Sequence, residues 1–106
     1  MASASDGTPV LDLLSEMTTR SIELADPLDA RSVMLARIAA LVAVDAPTAS
    51  YLLNLGMAAE VDVSADDIRG VLAAVAPIVG TPRVAAATGR IAEALGIVLE
   101  AAESGA

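Results

Sequence analysis

Nowhere in this chain do apolar and polar residues alternate with the period of two that a half-buried strand requires. Apolar residues recur instead at steps of three and four, and proline, glycine and capping residues cut that pattern at regular intervals. Such a pattern predicts an all-α chain with no sheet. At 106 residues it is one domain.

The punctuation predicts five helices. Met1–Gly7 is small and polar and reads as a flexible N-terminal tail ahead of a helical domain spanning residues 8–100. Thr8-Pro9 reads as an N-cap and first helical residue. Val10, Leu13, Leu14 and Met17 follow at helical spacing, so the first helix runs from Pro9 to about Ile22. Asp26-Pro27 breaks it. Asp29 is a good N-cap for a second helix ending near Val44, in which Arg37 is the one charge after the first turn. Pro47 opens a third helix to about Glu60. Ser64 with Asp67 resembles a capping box with Asp in place of Glu, starting a fourth helix that reaches Val79 with Pro77 kinking its last turn. Gly80 suits a left-handed C′ position, Thr81 an N-cap and Pro82 a first helical residue. The fifth helix runs to about Leu99, with Val84, Thr88, Ile91, Leu95 and Val98 on one face and Arg83, Arg90, Glu93 and Glu100 on the other. Residues 101–106 read as a loose C-terminal tail.

Composition bounds what such a bundle does. The chain is 56% hydrophobic, yet Tyr51 is its one aromatic residue. A second helix apolar nearly all round is buried on most sides, and aliphatic surface in this excess predicts a homo-oligomer. The net charge is −8 and all six cations are arginine. A basic stripe and stacking aromatics are both missing, which excludes a nucleic-acid binder, and the acidity disfavours an anionic membrane surface. The N-terminus lacks the basic and apolar segments of a signal peptide. The longest uncharged stretch, Ala46–Ala59, is 14 residues with a proline inside, which suits a core helix rather than a membrane span. The absence of cysteine fits a cytoplasmic protein.

Histidine, cysteine and lysine are all absent. That removes the usual neutral-pH base, the thiolate nucleophile, the Schiff-base amine and the commonest metal ligands, so no metal, cofactor or catalytic residue is assigned. The polar residues with a claim to a site are few. Ser50, Tyr51 and Asn54 fall within one helical turn and can share a face. With Arg37 they would form a ligand pocket for a small anion or carbonyl compound. The alternative is structural: Tyr51 and Asn54 cap polar groups between helices while Arg37 pairs with a carboxylate such as Asp45. Met34 and Met57 read as core gap-fillers. Asp26, Asp29, Asp66 and Asp67 read as helix-start chemistry.

Three segments carry a family resemblance. Leu28-Asp29-Ala30-Arg31-Ser32 resembles an "LDPKT" helix entry. Ala58–Ile68, AAEVDVSADDI, resembles "A-x-x-x-G-V-[ST]-x-[ED]-E-I", with Asp62 where glycine is usual. Val79-Gly80-Thr81-Pro82 resembles a "GxP" turn before the last helix. In this order and spacing they resemble the carboxymuconolactone decarboxylase family, which includes the AhpD-like alkylhydroperoxidases. The resemblance implies an AhpD-like helical bundle assembled as a trimer or hexamer, with the hexamer favoured. It also implies where chemistry would sit. The "CxxCxxxH" positions of active members fall on Pro47, Ser50 and Asn54, and their proton-relay glutamate falls near Met34 or Leu35. None of these residues performs thiol redox or proton transfer. The expectation is a non-catalytic member, serving as an interaction or small-ligand-binding module. The alternative is a decarboxylase- or isomerase-like enzyme of that superfamily, or one labelled peroxiredoxin-like through the family, using acid–base groups other than Cys and His.

Overall fold

A computed structural model describes residues 8–105, with the side chains of residues 8–97 and of Glu100. The expected tail at Met1–Gly7 lies outside the described residues. Five helices follow in order: α1 (Thr8–Leu24), α2 (Ala30–Ala43), α3 (Thr48–Glu60), α4 (Ala65–Val79) and α5 (Thr81–Gly105). There is no strand among the described residues. The last helix continues past its expected end at Leu99, so helical backbone extends through residues 101–105.

Local chemistry sets the boundaries. The Asp29 carboxylate accepts the Ser32 backbone N–H at 2.6 Å and starts α2. Ser64 and Asp67 form a reciprocal capping box on α4. Two helix ends share one device. At the end of α2, Ala46 N–H returns to Leu41 C=O and Asp45 N–H to Val42 C=O; at the end of α3, Val63 returns to Ala58 and Asp62 to Ala59. This is the Schellman pattern, whose C′ residue is left-handed and usually glycine. Here aspartates fill both positions, with φ of 57° at Asp45 and 62° at Asp62. Gly80 also has positive φ, 90°, but its ψ of 155° takes it out of the expected left-handed helical region into one that only glycine occupies readily.

The body is formed by α2–α5. The second helix packs on α3, α4 and α5, and the fifth also contacts α3 and α4. Ile38 and Val42 of α2 and Tyr51 of α3 are fully buried at the centre, joined by Met34, Leu55, Ala58, Val63, Ala87, Ile91 and Ala94. The buried stripe of α5 therefore runs through Ala87, Ile91 and Ala94, with Val84 half-buried, and not along the expected line. Thr88 is exposed and bonds Val84 C=O, Leu95 is 42% exposed, and the side chain of Val98 lies outside the described residues. Alanine wins these positions because its small side chain allows α5 to approach α2 and α3 closely.

The first helix stands apart. It buries no residue and packs on no other helix as the body helices pack on one another. The radius of gyration is 15.0 Å, against about 13 Å for a compact domain of this length. Total accessible surface is 6808 Å², against about 5,500 Å² for a monomer of this mass.

Candidate functional site

The expected pocket residues come from two helices. Arg37 lies midway along α2, and Ser50, Tyr51 and Asn54 lie in the first two turns of α3. The Arg37 Nε–H donates to Asn54 Oδ1 at 2.8 Å, and Asn54 Nδ2 donates to Ser50 C=O at 2.9 Å. Asn54 is 5% exposed and is the buried polar side chain of the body. Its amide is used at both ends, so it acts as a cross-brace between α2 and α3. Ser50 contributes only its backbone to that link. Arg37 does not pair with Asp45; that carboxylate is taken by Arg90, which reaches back from α5 to the α2–α3 turn.

Tyr51 departs from this pattern. Its side chain is fully buried, and its hydroxyl has no hydrogen-bond partner among the described residues. It is not the polar cap that the structural alternative expected. Burial pushes its pKa above the usual phenol value, the Arg90 guanidinium opposes that rise and the Asp45 carboxylate adds to it. The Asp45–Arg90 pair is thus near enough to act electrostatically on the phenol. Of the four expected site residues, then, Arg37, Ser50 and Asn54 form one hydrogen-bonded chain. Tyr51 shares their helix but contributes no bond to it.

Three cavities are prominent, and all three are lined by other residues. One of about 390 Å³ lies below the end of α1, with Val33, Met34, Met57 and Val61 as its apolar wall and Asp26 and Glu60 at its acidic edge. A second, of about 410 Å³, separates α1 from Leu53 and Met57 of α3. The third, of about 430 Å³, is a shallow hollow on α1 itself. Both methionines read as gap-fillers line open space, although Met34 is only 4% exposed.

Charges elsewhere tie helix ends together. Arg31 at the start of α2 pairs with Asp67, which also accepts the Ser64 N–H; these contacts hold the Asp67 carboxyl below the usual carboxylate range, the Ser64 bond being the largest contribution. The Ser32 N–H does the same for Asp29. Arg83 caps Ala43 C=O at the end of α2, and Thr48 bonds Glu93. Arg69 pairs with Asp66 and Arg20 with Glu23. All six arginines are thereby engaged by the protein itself. Sequence reading missed the pairing of Asp45 with Arg90 and the cap that Arg83 provides, because partners 45 and 40 residues apart leave no local spacing signal. Among the described residues no group of three acidic side chains gathers that could hold a metal ion, and no helix is long and apolar enough to cross a membrane. In comparisons with models of known families, with curated proteins and with solved structures, nothing matched this chain.

Proposed function

We propose that this chain is a non-catalytic relative of the AhpD-like carboxymuconolactone decarboxylases, a homo-oligomeric helical module that works by interaction or by holding a small organic ligand in the cytoplasm. The observation that carries the reading is Asn54. It stands where the resemblance puts the family's histidine, and its amide is buried and committed at both ends to Arg37 and Ser50. An amide so placed holds two helices together and moves no proton. The turn at Asp62 lends support to the resemblance: the position where the related motif has glycine is left-handed here. Trimers or hexamers are the assemblies the resemblance implies.

The test is turnover. Purified, metal-free protein incubated with a hydroperoxide and a dithiol should consume no peroxide above the protein-free rate, because the chain holds no sulfur that can form a disulfide. Sustained, dithiol-dependent consumption that follows the protein through purification would overturn the reading. A second reading is favoured by one observation, the unpartnered hydroxyl of Tyr51. In it, the helices part to admit a carbonyl or anionic compound to that hydroxyl beside Arg90, since none of the three cavities reaches Tyr51, and the phenol does the acid–base work of an enzyme of the same superfamily. Tyr51→Phe separates the two: it leaves a module's ligand or partner binding intact and abolishes turnover in an enzyme.

A further inference from the structure

We infer that the groove beneath α1 binds a small amphiphilic cation, a primary alkylamine whose ammonium group lies at Asp26 and Glu60 and whose chain runs back along the helix. The inference deepens the small-ligand arm of the reading above, placing the ligand outside the Arg37–Asn54 brace and naming its class. The site begins with the cavity of about 390 Å³ below the end of α1, a volume ordinary for small-molecule sites. Ile22 of α1, Val33 and Met34 of α2, and Met57 and Val61 at the end of α3 give it an apolar wall. Met57 also lines the cavity between α1 and α3, so the apolar surface continues past Leu53 to Leu14 and Leu11. Leu11, Leu14, Thr18 and Ile22 recur at steps of three and four, which places them on one face of α1, toward that space. From Leu11 to Ile22 this face is about 16 Å long, room for an extended decyl chain.

Charge at one end of the groove selects the head group. Asp26 and Glu60 line the cavity there, and neither side chain has an ion pair or hydrogen bond among the described residues. No arginine lines either cavity. The two nearest in sequence are committed elsewhere: Arg20 pairs with Glu23 and lines the hollow on the outer side of α1, and Arg31 pairs with Asp67 of α4. The helix ends give a second, independent reason. Glu60 is the last residue of α3, Asp26 follows the end of α1, and neither helix has a basic residue in its last turn. The partial negative charge of a helix C-terminus favours a cation, and a carboxylate beside it is unfavourable until a cation arrives. The positive end of α2 also opens here, at Ala30, but Asp29 already caps it. A fatty acid or other apolar anion therefore meets two carboxylates and no guanidinium. A quaternary ammonium finds no aromatic face, because Tyr51, the one aromatic residue, is enclosed in the core. A protonated primary amine meets both demands: its N–H groups donate to the carboxylate oxygens while its chain covers the apolar wall.

The test uses the full chain and n-decylamine below the concentration at which it forms micelles. Calorimetric titration near neutral pH should show saturable binding of one molecule per chain, with unchanged far-UV circular dichroism. Decanoate should not bind, and decanol should bind about tenfold more weakly than the amine. Asp26→Asn/Glu60→Gln, at two exposed positions, should weaken the amine about tenfold and leave decanol unaffected. Met57→Trp, which fills the space the two cavities share, should abolish binding of both. Methyl NMR of methionine-labelled protein locates the ligand: Met34 and Met57 should shift, and Met17, on the outer hollow, should not. Decanoate or decanol bound as tightly as the amine, an amine affinity indifferent to the double variant, or a shift confined to Met17 overturns the site. Absence of amine binding also overturns it and leaves the non-catalytic reading standing, since peroxide turnover judges that reading. Amine that splits the assembly into monomers assigns the groove to a second copy and overturns the site as well.

Discussion

Replacing Tyr51 by Phe should stabilise this protein. The ring is fully enclosed, and the hydroxyl exposes less than 1 Å² with no partner among the described residues. An unsatisfied buried hydroxyl costs about 1–3 kcal/mol relative to its hydrated unfolded state. Phenylalanine keeps the ring and its contacts and deletes only that cost. The expected gain is therefore about 1–3 kcal/mol, and each kcal/mol raises the midpoint of a domain this size by about 4–8 °C. Urea and thermal unfolding followed by circular dichroism measure it, at one fixed protein concentration because association adds to apparent stability. An alkaline titration gives an independent check. With no lysine, histidine or cysteine, Tyr51 is the one side chain in this sequence that ionises between about pH 9 and 11. Its folded pKa is raised, so above about pH 10 the unfolded state releases a proton that the folded state keeps. Wild-type stability should fall with rising pH in that window, and the Tyr51→Phe curve should stay flat. A variant less stable than wild type, or phenolate absorbance in the folded protein at the ordinary tyrosine value, would refute the orphaned, buried hydroxyl.

Other positions give sharp expectations. Asp62→Gly should add about 0.5–1 kcal/mol, because glycine takes positive φ without strain and its extra unfolded-state freedom offsets only part of that; urea midpoints decide it. Ala94→Leu should cost about 1–3 kcal/mol by overpacking the stripe of α5, while the neighbouring Leu95→Ala should change stability far less; a reversed order would mean the helix is rotated from the register described. Asp29 and Asp67 have lowered folded pKa values, so the stability they contribute is present above the ordinary carboxylate pKa of about 3.9 and lost as pH falls below it. The double variant Asp29→Asn/Asp67→Asn should therefore flatten the acid limb of the unfolding profile.

The helices were legible because their ends are written locally. Asp29, Ser64 with Asp67, Pro47 and Gly80 each act within four residues of themselves, and the body helices begin and end within a residue or two of those signals. The face that α5 buries was not legible. Hydropathy ranks Leu95 above Ala94, but close helix approach rewards the smaller residue, and that depends on the neighbouring helix. The partner of Asn54 was half legible: Arg37 stood out as the one charge of α2 beyond its first turn, yet nothing local shows that a guanidinium would meet an amide and not Asp45. Helical spacing predicted α1 correctly but is silent on whether an apolar face has anything to cover it.

The two left-handed aspartates differ in what they permit to change. Asp62 answers only to its backbone, so glycine or asparagine serves there equally well. Asp45 answers to its backbone and to Arg90 together. Glycine would keep the turn and abandon the arginine, while glutamate would keep a charge and resist the turn. Asparagine would turn but leave Arg90 without a counter-charge next to an enclosed phenol. Across diverging versions of this chain, position 62 should drift freely among turn-forming residues, while positions 45 and 90 should be inherited as a pair or exchanged as one.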